Sequence, residues 1–201
     1  DKTPKRLQDS IRTEFYHFTD AIKKNEDNGP AMDLRINMFI DATPNAAMKV
    51  VMDPVAGDNI TARGSGNFQV SFYNKGDFRM FGNYIVDQGM YKLSMKEIIH
   101  KDFALKSGST VTFTGDPYLA NLDVQAVYTV NSASLSDLST DASLTHSTVK
   151  VNCLMNLTGS LANPTIKFDL ELPTVNEEDR ELVRSATSTE EQMNTQIIYL
   201  L

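Results

Sequence analysis

Apolar side chains fall on every second position in stretch after stretch of this chain. Met32, Leu34, Ile36, Met38 and Ile40 alternate with Asp33, Arg35, Asn37 and Asp41. Ile60, Ala62, Phe68, Val70 and Phe72 keep the same beat, with Gly64 and Gly66 filling two places. Ala120, Leu122, Val124, Ala126, Tyr128 and Val130 make a third run, and Ile166, Phe168, Leu170 and Leu172 a fourth. A period of two means strands with one apolar and one wet face. Several such strands in order give an antiparallel sheet whose apolar side must be covered by something.

The 201 residues suffice for one large all-β domain or two small ones, and 41% hydrophobic residues can build a core. A net charge of -7 and a pI near 4.9 argue against a nucleic-acid partner. The only basic cluster is Lys2, Lys5, Arg6 and Arg12. Cys153, the single cysteine, excludes an internal disulfide and keeps time with Val149 and Val151, as a buried thiol would. No run approaches the roughly 20 apolar residues that a spanning helix needs. The start at Asp1 and the apolar end Ile197, Ile198, Tyr199, Leu200, Leu201 predict a fragment of a longer protein.

Residues 1–31 are polar apart from Ile11, Phe15, Phe18 and Ile22, whose spacing predicts a short helix, against an edge strand near Glu14–Phe18. Strands are expected at 32–42, 46–53, 59–73, 77–87, 89–95, 102–106, 109–114, 119–131, 147–158 and 164–172. Turn chemistry separates them, including Gln88-Gly89 between the fourth and fifth. The Ser-, Thr- and Asp-rich residues 131–146 read as a surface loop. Thr114-Gly115 followed by Leu119-Ala120-Asn121 is echoed by Thr158-Gly159 followed by Leu161-Ala162-Asn163, a repeated strand–turn–strand unit. After Pro173 the period lengthens. Asn176 ahead of Glu177, Glu178 and Asp179 caps one helix, over 176–187. Ser188 with Glu191 predicts a capping box for a second, over 189–201.

Nothing in this pattern carries enzymatic chemistry. His17, His100 and His146 have no metal-ligand spacing, and the Asn/Asp-Gly turns do not fit a calcium loop. No nucleophile elbow or phosphate loop is present, so neither a catalytic residue, a metal nor a cofactor is expected. What remains is the sheet, with large, flexible apolar beats that either pack a core or line a groove for apolar guests.

The motifs Gly64-Ser65-Gly66-Asn67-Phe68, Gly76-Asp77-Phe78-Arg79-Met80-Phe81-Gly82 and Gly89-Met90-Tyr91 appear in order. Thr114-Gly115-Asp116-Pro117, Leu157-Thr158-Gly159-Ser160-Leu161-Ala162-Asn163-Pro164 and Glu190-Glu191-Gln192-Met193-Asn194 follow. This series resembles the C-terminal domain of TamB-like proteins, the inner-membrane component of the translocation and assembly module, in its Bacteroidetes form. The domain was long described as one of unknown function, number 490. The resemblance covers about residues 30–201 and departs at the N-terminal segment.

The resemblance implies a mainly β fold, an elongated, curled antiparallel sheet forming an open hydrophobic trough with short helices at its C-terminal end. Residues 1–31 would be a separate polar segment and 32–201 the trough domain. It implies the periplasmic part of an inner-membrane-anchored envelope protein that guides apolar cargo, phospholipid acyl chains or nascent outer-membrane protein strands. It also implies an Omp85-type outer-membrane barrel as partner and a chain that continues past the equivalent of Leu201. The trough lining would be Met32, Leu34, Ile36, Met38, Phe68, Val70, Phe72, Phe78, Met80, Tyr84, Phe113, Leu122, Val124, Tyr128, Ile166, Phe168 and Leu170. A strand of about ten residues spans roughly 33 Å, enough to shelter an acyl chain. Two alternatives stand beside the conduit: a module that docks the barrel through a sheet edge or through Ile197, Ile198 and Leu201, and a purely structural domain.

Overall fold

The computed structural model describes residues 32–53, 57–95, 99–135, 138 and 148–201. The alternation folds as expected into strands: β1 (Arg35–Ala42), β2 (Ala47–Asp53), β3 (Asp58–Tyr73), β4 (Arg79–Met95), β5 (Ile99–Leu105), β6 (Thr110–Gly115), β7 (Asn121–Ser134), β8 (Thr148–Ser160) and β9 (Asn163–Glu171). All nine belong to one sheet, ordered β1-β3-β4-β5-β7-β8-β9, with β2 beside β3 and β6 between β4 and β7. Every pairing is antiparallel. β1 and β2 run along successive halves of β3, and β5 and β6 along successive halves of β4. The sheet is therefore a meander in sequence order, which needs no long crossover.

The register puts the apolar beats on one face. Met38 lies opposite Val70, which lies opposite Met80; Val124 lies opposite Leu157, which lies opposite Ile166. The turn expected at Gln88-Gly89 is absent, and β4 runs through it unbroken. The pairing slips there instead, Gly64 facing Val86 while Arg63 faces Gln88. This bulge absorbs Asp87 and keeps Val86, Tyr91 and Leu93 all buried. In the sequence the change of phase between Val86 and Tyr91 imitates a strand break.

Three irregularities line up at this height. Residues 43–46 interrupt β1 and β2 beside the bulge, and residues 106–109 interrupt β5 and β6 on its other side. Arg63 Nη1 donates to the carbonyls of Pro44 (3.2 Å) and Asn45 (2.9 Å). Val86 N–H donates to Ser109 O, and Gly108 N–H donates to Val86 O, both at 2.8 Å. The buried Ser109 hydroxyl accepts from Gln125 N–H (3.1 Å) and donates to Lys106 O (2.7 Å). Bulged strands bend and gain twist, so the aligned row creases the sheet across four rungs.

The sheet also curls in the perpendicular direction, from strand to strand. In a flat sheet β5 and β9, three steps apart, would be about 14 Å from each other. The rings of Phe103 on β5 and Phe168 on β9 nevertheless lie 6.4 Å apart. The apolar face has closed toward itself.

The two echoed segments are neighbours. Leu161 N–H donates to Ala120 O (2.8 Å) and Ala162 N–H to Tyr118 O (2.9 Å). Helix α1 (Glu177–Ala186) is capped by Asn176, whose side chain accepts from Asp179 N–H at 2.8 Å. Helix α2 (Glu190–Leu200) starts one residue later than the Ser188 cap expected, with Thr189 and Gln192 forming the reciprocal box. Of the loop expected at 131–146, residues up to Ser134 belong to β7, and Leu135 and Leu138 are buried in the core. The rest of that segment, like the helix or strand expected within 1–31, lies outside the described residues.

Candidate functional site

The inward face of the curled sheet is an apolar surface that changes character across its width. Its middle is solid. Phe103, Cys153, Met155 and Leu157 are fully buried, and Leu122, Val124 and Tyr84 nearly so. Burial pushes the Cys153 thiol up to about 12, so it stays protonated and inert. The Tyr84 hydroxyl is also pushed up, chiefly by burial and then by the Asp87 carboxylate.

At the β1 lip the same face opens. Ile36, Met38 and Ile40 stand opposite the buried Phe72, Val70 and Phe68, yet are themselves 37–41% exposed. They form the mouth of an open apolar trough. Beyond them Met32 is 73% exposed, and Leu34 is half-buried. Phe78, Met80, Phe113, Tyr128, Ile166, Phe168 and Leu170 are also half-buried around the solid centre. Of the expected lining, Phe68, Val70, Phe72, Tyr84, Leu122 and Val124 form the packed floor, and the rest lie nearer its accessible margins.

Glycine shapes the floor. Gly82 lies between Phe68 and Phe113 in the ladder, and without a side chain there the two rings meet edge-on at 5.7 Å. Gly82 has φ +138°, and a Cβ on it would sit 2.1 Å from Asn67 O. Gly64 is under the same pressure, 2.1 Å from Ile85 O.

Three features escaped the sequence reading. Ile40, read as an apolar beat of the first strand but not placed in the expected lining, shares the mouth with Ile36 and Met38. Lys101 occupies an inward beat opposite Leu93; its Nζ lies 3.3 Å from the Tyr128 hydroxyl and 5.2 Å from that ring's centroid. A charge at an inward position is invisible to a reading that sorts residues by polarity. Leu135 and Leu138 join the core from a segment whose composition signals a loop.

The C-terminal helices seal one margin. Val183 and Ile197 are buried in the same apolar cluster as the sheet, and α2 packs against β9. Ile197 is thus a core residue, while Ile198 and Tyr199 face outward and Leu201 is half-buried. A groove of about 740 Å³ lies between β9 and the helices, lined by Leu154, Asp169, Arg180, Val183, Arg184 and Met193 among others. Its two arginines are engaged. Arg180 pairs with Glu177 and donates to the Leu172 and Val175 carbonyls, and Arg184 pairs with Glu181. No group of His, Cys, Asp or Glu among the described residues could hold a metal ion. No helix among them is long and apolar enough to cross a membrane.

A creased meander with an apolar inward face open at one lip defines a β-trough domain. Residues 2–201 match the TamB C-terminal domain family, and the chain belongs to that family. The match takes in the N-terminal segment, where a departure was expected. No curated protein and no solved structure gives a significant match. Membership carries a general role in translocation and assembly, and is consistent with a non-enzymatic domain.

Proposed function

We propose that the domain guides apolar cargo, phospholipid acyl chains or nascent outer-membrane strands, along its trough between the two membranes. It would act as the periplasmic part of an inner-membrane-anchored protein of the Bacteroidetes type. The observation that carries this reading is the apolar inward face, continuous from the packed floor to the exposed Ile36, Met38 and Ile40. Each methylene sheltered on such a wall is worth about 0.8 kcal/mol, so cargo needs no charged anchor.

Test positions should be accessible ones. Val124 and Phe68 are too buried to report cargo. A photo-crosslinking side chain at Phe113 or Ile166 should capture phospholipid in native envelopes. Ile166→Arg should impair lipid transfer while its thermal melt stays near that of the parent. Absence of any lipid adduct from both positions would overturn acyl chains as the cargo and leave nascent strands.

A second reading is docking to an Omp85-type barrel, favoured by the outward Ile198 and Tyr199 on α2. Ile198→Asp should weaken partner pull-down without altering lipid transfer. Loss of both together would make the helix a structural brace.

A further inference from the structure

We propose that Lys101 and Tyr128 form an anion site on the inward face, taking the phosphate or carboxylate head of an amphiphile whose tail lies in the trough. The proposal rests on the acyl-chain reading above and deepens it: the apolar wall holds the tail, and Lys101 selects the head.

Lys101 is a cation where the strand pattern calls for an apolar side chain. β5 alternates exposed His100, Asp102 and Ala104 with inward Lys101, Phe103 and Leu105, of which the last two are buried. Lys101 lies opposite the buried Leu93. Among the described residues it forms no ion pair. On the same face Asp58 begins β3, two residues before the inward Ile60, with β4 between it and Lys101. Its Oδ1 accepts from Ser94 N–H at 2.5 Å.

The β5 and β7 backbones pair at Ala104–Val127 and Leu105–Ala126, yet β5 begins at Ile99 and β7 runs on to Ser134. Where that ladder stops, side chains take over. The Phe103 and Tyr128 rings lie 5.7 Å apart, and Lys101 Nζ donates to the Tyr128 hydroxyl at 3.3 Å. A lysine that only covered its neighbours with its stem would send the ammonium to water. Here the ammonium is turned onto a ring, 5.2 Å from its centroid, and onto that ring's hydroxyl. Because the hydroxyl oxygen accepts from Lys101, the Tyr128 O–H and the remaining ammonium N–H groups are left to donate. Both residues are half-buried, so the pair keeps accessible surface. An oxyanion between them takes charge-assisted hydrogen bonds where water screens less than at an open surface.

An apolar path leads away from this pair. Tyr128 lies opposite Cys153, which lies opposite Leu170, and Phe168 and Ile166 follow on the next inward beats of β9. All three β9 side chains are half-buried. Leu170 to Ile166 spans about 13 Å of strand. A tail laid along them leaves its head at Lys101.

Dodecyl phosphate and dodecyl maltoside share a tail and differ in the charge of the head, and inorganic phosphate supplies a head without a tail. Calorimetric titration of the 201-residue chain, below micellar concentrations, should show dodecyl phosphate bound about tenfold more tightly than the maltoside. Lys101→Met should abolish that preference and leave maltoside affinity within about twofold of the parent, while Lys101→Arg should retain the preference. Tyr128→Phe keeps the ring, removes one donor and should reduce the preference about threefold. Lys101→Gln, which keeps a polar end, gives the same reading should Lys101→Met lower the melting temperature. Inorganic phosphate should compete only weakly. No preference in the parent, or one that survives Lys101→Met and Lys101→Gln, overturns the proposal and leaves the trough reading standing. Inorganic phosphate binding as tightly as dodecyl phosphate overturns it too, because the site would then serve a free anion. If neither amphiphile binds the parent, the acyl-chain reading falls and this proposal falls with it.

Discussion

Gly64 shows how tightly single residues fix the trough floor. Its position has ordinary φ, yet any Cβ would stand 2.1 Å from the Ile85 carbonyl of the neighbouring strand. The β3 and β4 backbones approach as closely at Gly82, where a Cβ would also stand 2.1 Å from a carbonyl oxygen, so the constraint belongs to the strand pair as a whole. Gly64→Ala should therefore cost about 3 kcal/mol, the range of overpacking at a rigid contact, and a urea melt would measure it. Gly57, with positive φ and open space around it, serves as a control that needs only its turn geometry. Cys153 gives a second residue-scale prediction, on pH. Its thiol is raised from 9.0 to about 12 in the folded protein, so folding is favoured while the thiol stays neutral. That contribution is fully present below pH 9 and is lost as pH rises from there toward 12. Thiol reagents should modify Cys153 only as the chain unfolds, at a rate that tracks the alkaline loss of structure.

The crease is the element-scale feature, and Ser109 is where it is held. Ser109→Ala would leave Gln125 N–H without its acceptor at a buried site, a loss of about 1–3 kcal/mol. Ser109→Thr keeps the hydroxyl and should retain part of that stability, unless its methyl clashes with the turn; paired thermal melts would separate the two. The crease also marks the limit of what could be read from the chain. Strand positions, the sheet's inward face and the Asn176 cap were legible because period two and N-cap chemistry are local. The bulge was not, because its residues Val86, Asp87 and Gln88 look like the end of a strand until β3 supplies the partner. The same holds for Ile197. Its helical spacing marks an apolar stripe, but only packing against the sheet tells a buried stripe from a docking face. Burial within the trough was equally hidden: Val124 and Ile166 have the same pattern, yet curling buries the first and leaves the second half-open.

At the scale of the whole molecule, one contact decides how wide the trough can be. Phe103 and Phe168 meet across the curled face although β7 and β8 lie between their strands in the ladder. Phe103 also packs against Tyr128 at 5.7 Å and has no exposure, so Phe103→Ala should cost about 3–5 kcal/mol and threaten the fold. Phe168 is half-buried on the edge strand β9, and its truncation should cost only about 2 kcal/mol. That difference makes Phe168 the useful variant. Phe168→Ala removes one side of the bridge while Phe103 and the floor remain, and it should leave room where the two rings met. If the trough shelters acyl chains, the variant should bind a fluorescent fatty-acid probe more tightly than the parent despite its lower melting temperature. Lower stability with unchanged or weaker probe binding would show that the bridge is core packing alone and that cargo is sheltered nearer the β1 mouth. Ile40→Gln, which makes the mouth polar without touching the bridge, should then be the substitution that reduces binding.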